Sequence, residues 1–509
     1  MRCFRVGQGS PARTLSPITL GIIAAVLALV PVIVVPIPGF SDAPAHMARH
    51  QILAMASSST PLSHYFVVHW QWIANLGEDI PAVFLAHWLG GDLATRLVSA
   101  AIAPLTIAGI LALSRAAHGR VTGSAMLATP LALNQAWMFG FLNYCLGIAL
   151  ALLTAAWLFS RQRERLPEQA ILGIAALVVW TAHMAAWTTL LLLAAANELA
   201  RLRSIHDIWP AIRRNLPLLL PVIPLLIWRA HSHGANVTWI YEDVVRYKLT
   251  VFAGSLRGTW MKLDLALLGA IFLSALLALR WTGRQRQMEP RLLIAALLLA
   301  AGALAAPLYL LNSWGTDVRT APIAIMLFVM AVRPAIDPRR ERLVCLMGLS
   351  LFLVRLGSVT WAWASRSAEL EQRLTMLDVV PRGGKLGYVY VRDSCDGWAL
   401  TPDEKLASYA VTRRDAFVNT LFMVDNARLL TIRDPRFQER WTSDSQRVTL
   451  KCPEDRVDAV QLQERLQAMR QDHFDAIWVS GVPAGELPPV PGYRVVRHFS
   501  KQAMLVQRR

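Results

Sequence analysis

The sequence predicts an α-helical polytopic membrane protein of about 11 transmembrane helices, with a C-terminal extracytoplasmic α/β domain. Three observations carry this. Of 509 residues, 55% are hydrophobic and only 17% charged, against about 25% charged in soluble domains. Apolar runs of near-spanning length recur from residue 18 to residue 361. From about Arg366 the composition shifts to short β-rich runs and helical stretches. An ordinary soluble enzyme, a fibrous chain and a disordered one are excluded.

The first apolar run, about Ile18 to Ile37, follows Arg2, Arg5 and Arg13. It is long enough to span and has no convincing small-residue cleavage site, so it reads as an uncleaved first helix. Further spans are expected near 97–114, 121–138, 141–159, 169–184, 185–200, 215–230, 263–280, 292–311, 321–335 and 342–361. Two external loops are long, 38–96 and 231–262. Within the first, Asp79–Arg96 has apolar residues at helical spacing, with His87 and Trp88 among them. It reads as a helix lying in the membrane interface.

Residues 1–361 thus form the transmembrane unit and 362–509 the soluble domain. In the latter, GYVYV (387–391), DAIWVS (475–480), YRVV (493–496) and AMLVQ (503–507) read as strands, and 403–416 and 457–472 as helical.

The net charge is +17, of which +14 falls before residue 362. Basic excess in an apolar region marks topology-setting loops rather than a nucleic-acid site. With the N-terminus in the cytoplasm, 20 Arg fall in cytoplasmic segments and 7 Lys or Arg outside. The odd span count then places the C-terminal domain outside.

Candidate chemistry gathers on the external face, which holds 8 of the 12 histidines. Asp42, His46 and His50 are spaced to share one helix face in the first loop, with Arg49 a turn from His46. An acid, imidazoles and a guanidinium suit proton transfer beside an anion. The alternative for Asp42 is a helix cap ahead of Pro44. Arg319 in TDVR (316–319) suits a phosphate, with Asp317 orienting it; the alternative is a snorkelling anchor. In the loop 231–248, Glu242 and Asp243 are candidate second carboxylates and Arg246 and Lys248 candidate phosphate contacts. His231 and His233 form an HxH that is weak evidence for a metal. A charged loop helix is the plainer account of that segment. His183 lies at an external turn between two apolar runs, where an ionisable residue suggests function or a hydrogen bond between helices.

These segments also carry a resemblance. DAPAHMARHQIL after a first helix resembles the start of bacterial membrane proteins related to the GT-C glycosyltransferases. MFGFLNYCLGIALALL (138–153), WTAHMAAW (180–187), TDVRTAP (316–322) and LASYAVTRRDAFVNTLF (406–422) agree with it. The resemblance implies transfer of a sugar, hexosyl or pentosyl, from a polyprenyl-phosphate carrier to a glycan, lipid or protein acceptor outside a bacterial inner membrane. It implies that Asp42 is the first-loop acid, a base or a ligand near the acceptor. The neighbours Ser41 and Ala43 offer no paired carboxylate, so no cofactor is predicted; a divalent metal stays open but lacks that support. His46 is taken with Asp42 as catalytic, and Arg49, His50, His183, Glu242, Asp243, Arg246, Asp317 and Arg319 as substrate-binding. A flippase of lipid-linked glycan would show repeated halves, and none are visible. A non-catalytic scaffold is the third reading.

Cys395 and Cys452 are the only cysteines beyond the last expected span. An external domain permits a disulfide between them. The orientation is checked by fusions at the C-terminus: alkaline phosphatase is expected to be active there and a fluorescent protein dark. The reverse would put the candidate loops on the wrong side.

Overall fold

The computed structural model describes residues 15–161, 165–230, 237–239, 243–283, 287–310, 313–392, 395, 397–421, 429–441, 446–452, 454 and 456–508. Five of its helices are long and apolar enough to cross a membrane, or six if one pair bent by 49° is a single span. Three shorter apolar helices, Leu166–Ala182, Met184–Leu199 and Pro290–Ala305, accompany them. The chain is a multi-pass membrane protein. Its outward helix faces keep Ile22, Val26, Leu273 and Leu276 exposed, while alanines and tryptophans pack inside. That pattern suits lipid as the surrounding solvent.

Several expected spans take another form. The segment expected to span at 121–138 is three short pieces, Gly123–Ala128, Thr129–Leu133 and Gln135–Phe139. Pro130 and the Asn134 cap break it: Asn134 accepts hydrogen bonds from the backbone N–H groups of Ala136 and Trp137. The expected interface helix and the span after it are one element, Asp79–His118, bent at Gly90 with φ 73°. A residue without Cβ takes that conformation without strain. In its first half Phe84 and Trp88 stay exposed. The last span is far longer than expected. Pro338–Leu374 runs straight through residue 361 and ends under the C-terminal sheet.

That sheet has six strands. Lys385–Val391 pairs in parallel with Ala476–Ser480, Phe417–Val418 and Arg447–Val448. Ala476–Ser480 pairs antiparallel with Gln502–Gln507, and that with Tyr493–Phe499. The two central strands, KLGYVYV and AIWVS, are apolar and buried over most of their length, which fits burial on both faces. The helix Ala459–Gln471 covers one side. All four expected strands are present, and of the stretch expected to be helical at 403–416, Asp403–Ser408 and Tyr409–Arg414 are helical.

The first loop and the C-terminal domain are joined by a ladder of their own. Phe66–Val68 pairs antiparallel with Leu430–Ile432. The Tyr65 hydroxyl also donates to the Gly383 carbonyl at 2.7 Å. A second joint is buried: Asp264 accepts from Arg355 at 2.9 Å and from the Trp398 indole at 2.8 Å.

Cys395 and Cys452 form a disulfide, with Cα atoms 5.9 Å apart and a sequence separation of 57. Closing a loop of that length stabilises a domain by about 4 kcal/mol in the loop-entropy model. In unreduced protein neither cysteine should react with a thiol probe. Reduction should expose both and lower the unfolding temperature of the C-terminal domain.

Candidate active site at the first long loop

The helix Ala43–Met55 carries the first-loop candidates. Its entry is fixed by aromatic packing. Phe40 sits edge-on to Trp137 and Trp363, each at 4.7 Å between ring centroids. The next residues hydrogen-bond to the turn after Trp137: Ser41 N–H to the Met138 carbonyl at 3.3 Å, Asp42 N–H to the Phe139 carbonyl at 3.0 Å. Gly140 makes that approach practicable. Its φ is 82°, and a Cβ there would stand 3.2 Å from the Asp42 nitrogen. The motif MFGFLNY therefore holds Asp42 through its backbone.

Asp42 occupies the cap position of its helix but does not cap it. Its backbone is already helical, with φ −100° and ψ −13°, and its carboxylate accepts no N–H bond there. Among the described residues this half-buried carboxylate makes no hydrogen bond. Burial pushes its pKa up to about 7; Lys405, Arg319 and Arg447 pull it down and Glu404 pushes it up. Three of these four charges come from the C-terminal domain.

Those charges are themselves held. Asp403 is gripped by Arg366 at 2.6 Å and Arg373 at 2.8 Å, both on the long helix Pro338–Leu374. The next two residues, Glu404 and Lys405, are thereby fixed over the first loop. Arg447 bonds Glu404 at 2.7 Å, and Lys405 lies 3.5 Å from the same oxygen. Burial would raise the Glu404 pKa, but the two cations outweigh it and hold the carboxyl below its usual range. Charges on a soluble domain look like ordinary surface in a sequence, and none of these three was expected at the site.

Arg319 opens the helix Thr316–Ala331 and lies over the Phe141 ring at 4.0 Å. It also donates to the Trp314 carbonyl. Its Nε is buried without a partner. His183 lies between Leu166–Ala182 and Met184–Leu199, edge-on to Tyr144 at 5.3 Å. Its Nδ1 accepts from Ala185 N–H at 3.0 Å, so a proton on the ring belongs to Nε2. The Tyr144 hydroxyl donates to the Arg319 carbonyl at 2.8 Å. Asp42, Arg319 and His183 thus border one region, with the charge of Arg319 acting on both others.

Other expected site residues are engaged elsewhere. Arg49 is buried on Asp79 at 2.7 Å. Asp317 accepts from Lys248 at 2.6 Å, and Lys248 also bonds the Ala303 and Ala306 carbonyls. Asp243 caps the helix Val244–Ala253 by accepting from Arg246 N–H, and Arg246 is exposed. Glu242, His231 and His233 lie outside the described residues.

His46 and His50 point toward the head of Asp79–His118. His46 Nδ1 lies 3.5 Å from Glu78 Oε2, and His50 Nε2 lies 3.5 Å from Asp79 Oδ1. Burial lowers the His46 pKa to about 3, with His50 and Arg49 acting the same way and Asp79 opposing. Glu78 is pushed well above its usual range, chiefly by burial. The first loop therefore does bring a carboxylate pair, Glu78 and Asp79, to its helix. Adjacent acids at the loop's far end were the available signal; attention to the neighbours of Asp42 alone passed over it. A separate cleft lies between Phe40, Pro44, Asp92, Arg96 and Tyr409.

No protein-family profile and no curated protein sequence matches the chain. Solved structures do. ArnT from Cupriavidus metallidurans in the apo state is similar over 96% of this chain and 97% of its own, with TM-score 0.55 and 12% identity. The same protein bound to undecaprenyl phosphate has the same coverage and identity, with TM-score 0.50. This likeness is one of fold over nearly the whole chain, and it agrees with the GT-C resemblance. An arabinofuranosyltransferase from Mycobacteria, AftD, is more distant: TM-score 0.44, 16% identity, covering 97% of this chain and 41% of that one.

Replacing Gly140 by Ala is expected to lower stability by about 1–2 kcal/mol, the cost of a left-handed residue with a Cβ. Thermal unfolding in detergent measures it. A neutral result would separate Asp42 from the Gly140 turn.

Proposed function

We propose that the protein is a membrane glycosyltransferase taking a sugar from a polyprenyl-phosphate donor to an acceptor hydroxyl on the extracytoplasmic side. One observation carries the reading: Asp42 is a half-buried carboxylate that makes no hydrogen bond among the described residues, and the charges of Lys405, Arg319 and Arg447 act on it. The fold shared with a protein that binds undecaprenyl phosphate supports the donor class.

In this reading Asp42 accepts the proton of the acceptor hydroxyl as that oxygen attacks the anomeric carbon. A pKa near 7 suits the role, since a base works best when its pKa lies near the ambient pH. The bond from the anomeric carbon to the phosphate oxygen breaks, and charge grows on the leaving phosphate. Arg319 is the guanidinium placed to receive it, with Lys405 and Arg447 adding positive potential from above. Stabilising a developing anion in a dry site is usually the larger catalytic effect. His183 Nε2–H is a further donor beside Arg319.

Asp42→Asn should reduce transfer by about 10²- to 10⁴-fold, the usual cost of a lost general base. Because Asp42 is no cap, the variant should insert and fold normally. In the unsubstituted protein the rate should rise with pH through about 7, where Asp42 loses its proton, and the Asn variant should lose that limb. A transfer assay with a lipid-linked sugar donor, run across pH, reads both. Full activity of Asp42→Asn would remove Asp42 from the chemistry.

A further inference from the structure

We infer that His46, His50 and Glu78 form a binding site for a zinc-like divalent transition metal. The site joins the first-loop helix to the head of Asp79–His118. One ligand atom from each residue lies within 4.8 Å of the other two. Zinc bonds of about 2.0–2.2 Å put tetrahedral ligands roughly 3.4 Å apart. The 3.5 Å between His46 Nδ1 and Glu78 Oε2 already meets that spacing. The remaining separations among the three ligand atoms are no more than 4.8 Å.

The hydrogen bonds around the cluster favour a cation at its centre. Thr95 Oγ1 donates to the Gly91 carbonyl at 2.6 Å, so its lone pair must accept from His50 Nδ1, 2.7 Å away. His50 therefore carries its proton on Nδ1. Its Nε2 then presents a lone pair, and that atom is fully buried without a hydrogen bond. The nearest acid oxygen, Asp79 Oδ1, stands 3.5 Å off, and two lone pairs facing each other repel. On Glu78, Ser99 Oγ lies 3.0 Å from Oε1, while Oε2 is buried with no hydrogen bond. Two buried acceptors, His50 Nε2 and Glu78 Oε2, thus face the space they share with His46 Nδ1. A proton can serve one of them; a divalent cation serves both.

Charge points the same way. Asp79 is balanced by Arg49 at 2.7 Å and receives Asn143 Nδ2 at 3.2 Å. Glu78 has His46 alone within ion-pair distance among the described residues, at 3.5 Å. The Thr95 bond also fixes the ring of His50, the usual support behind a metal-bound imidazole. Two imidazoles and one carboxylate suit zinc and other late first-row divalents; magnesium and calcium prefer sets of six or more oxygens.

His46 lies one turn beyond Asp42 on the same helix, so the metal would hold the helix that presents Asp42. Its role is positioning. The proposal stands apart from the reading of Asp42 as a base, because it is read by metal content and not by sugar transfer.

The full chain, purified in detergent and stripped with a chelator, is incubated with buffered Zn²⁺ and passed through a desalting column. Elemental analysis should find about one zinc per chain, the count for a single three-ligand site. Excess Mg²⁺ or Ca²⁺ should not displace it. Glu78→Gln keeps the shape of the side chain, and with His50→Gln it should cut retained zinc at least about tenfold, as loss of one of three ligands does. X-ray absorption of the loaded protein should show two imidazoles and a carboxylate oxygen. No retained zinc would overturn the proposal. So would equal zinc in the parent and both variants, which marks adventitious surface binding. If a variant unfolds, the absorption spectrum of the parent decides alone, and a spectrum without two imidazoles overturns the site.

Discussion

The buried ion pair between Arg49 and Asp79 is the constraint on which the site depends. It locks the first-loop helix to the head of a transmembrane helix at a place no water reaches to compensate either charge. Breaking such a pair typically costs about 3–5 kcal/mol, because the surviving charge stays buried. The grip fixes the helix in rotation as well as position. His46 and His50 then face Glu78 and Asp79, while the start of the helix, with Asp42, is left at the boundary with the C-terminal domain. A helix start that caps itself would have closed its carboxylate against its own backbone. Here the backbone at Asp42 is tied instead to the Met138–Phe139 turn, and the side chain is released.

The second half of the arrangement comes from the opposite end of the chain. Asp403 is clamped by two arginines of the last long helix, and that clamp carries Glu404 and Lys405 into range of Asp42. The domain is therefore part of the electrostatics of the loop. A carboxylate raised toward neutrality by burial, yet surrounded by cations, responds to small changes in that surrounding. Burial raises the proton affinity of Asp42 most, and docking of the domain adds the charges of Lys405, Glu404 and Arg447 to it.

What could be read beforehand follows from the range of the physics involved. The two-part architecture, the strands of the C-terminal sheet and the Cys395–Cys452 pairing rest on local hydropathy, period and composition. Asp42, Arg319 and His183 were legible for a related reason: an ionisable residue beside an apolar run is costly and stands out. Helix breaks were harder. The run at 121–138 is apolar on average, and over a window of spanning length that average hides the breaks at Pro130 and at the polar pair Asn134–Gln135. Glu404, Lys405 and Arg447 were not legible at all, since only a contact across some 360 residues of sequence brings them to Asp42. The metal-ligand geometry was hidden likewise. His46 and His50 were visible as a pair, but Glu78 joins them only once Arg49 has bound Asp79.

The short ladder between Phe66–Val68 and Leu430–Ile432 has a bearing on how the protein is made. The first strand leaves the ribosome about 360 residues ahead of its partner, roughly 20 to 70 s earlier at ordinary elongation rates. Throughout that interval the first loop has an unpaired edge and an acid without its counter-charges. Biogenesis thus withholds the assembled centre until every span is inserted and the final domain has closed on the first loop. A prematurely terminated chain would carry the acid and lack its surroundings, and its exposed strand would mark it for disposal before it could act.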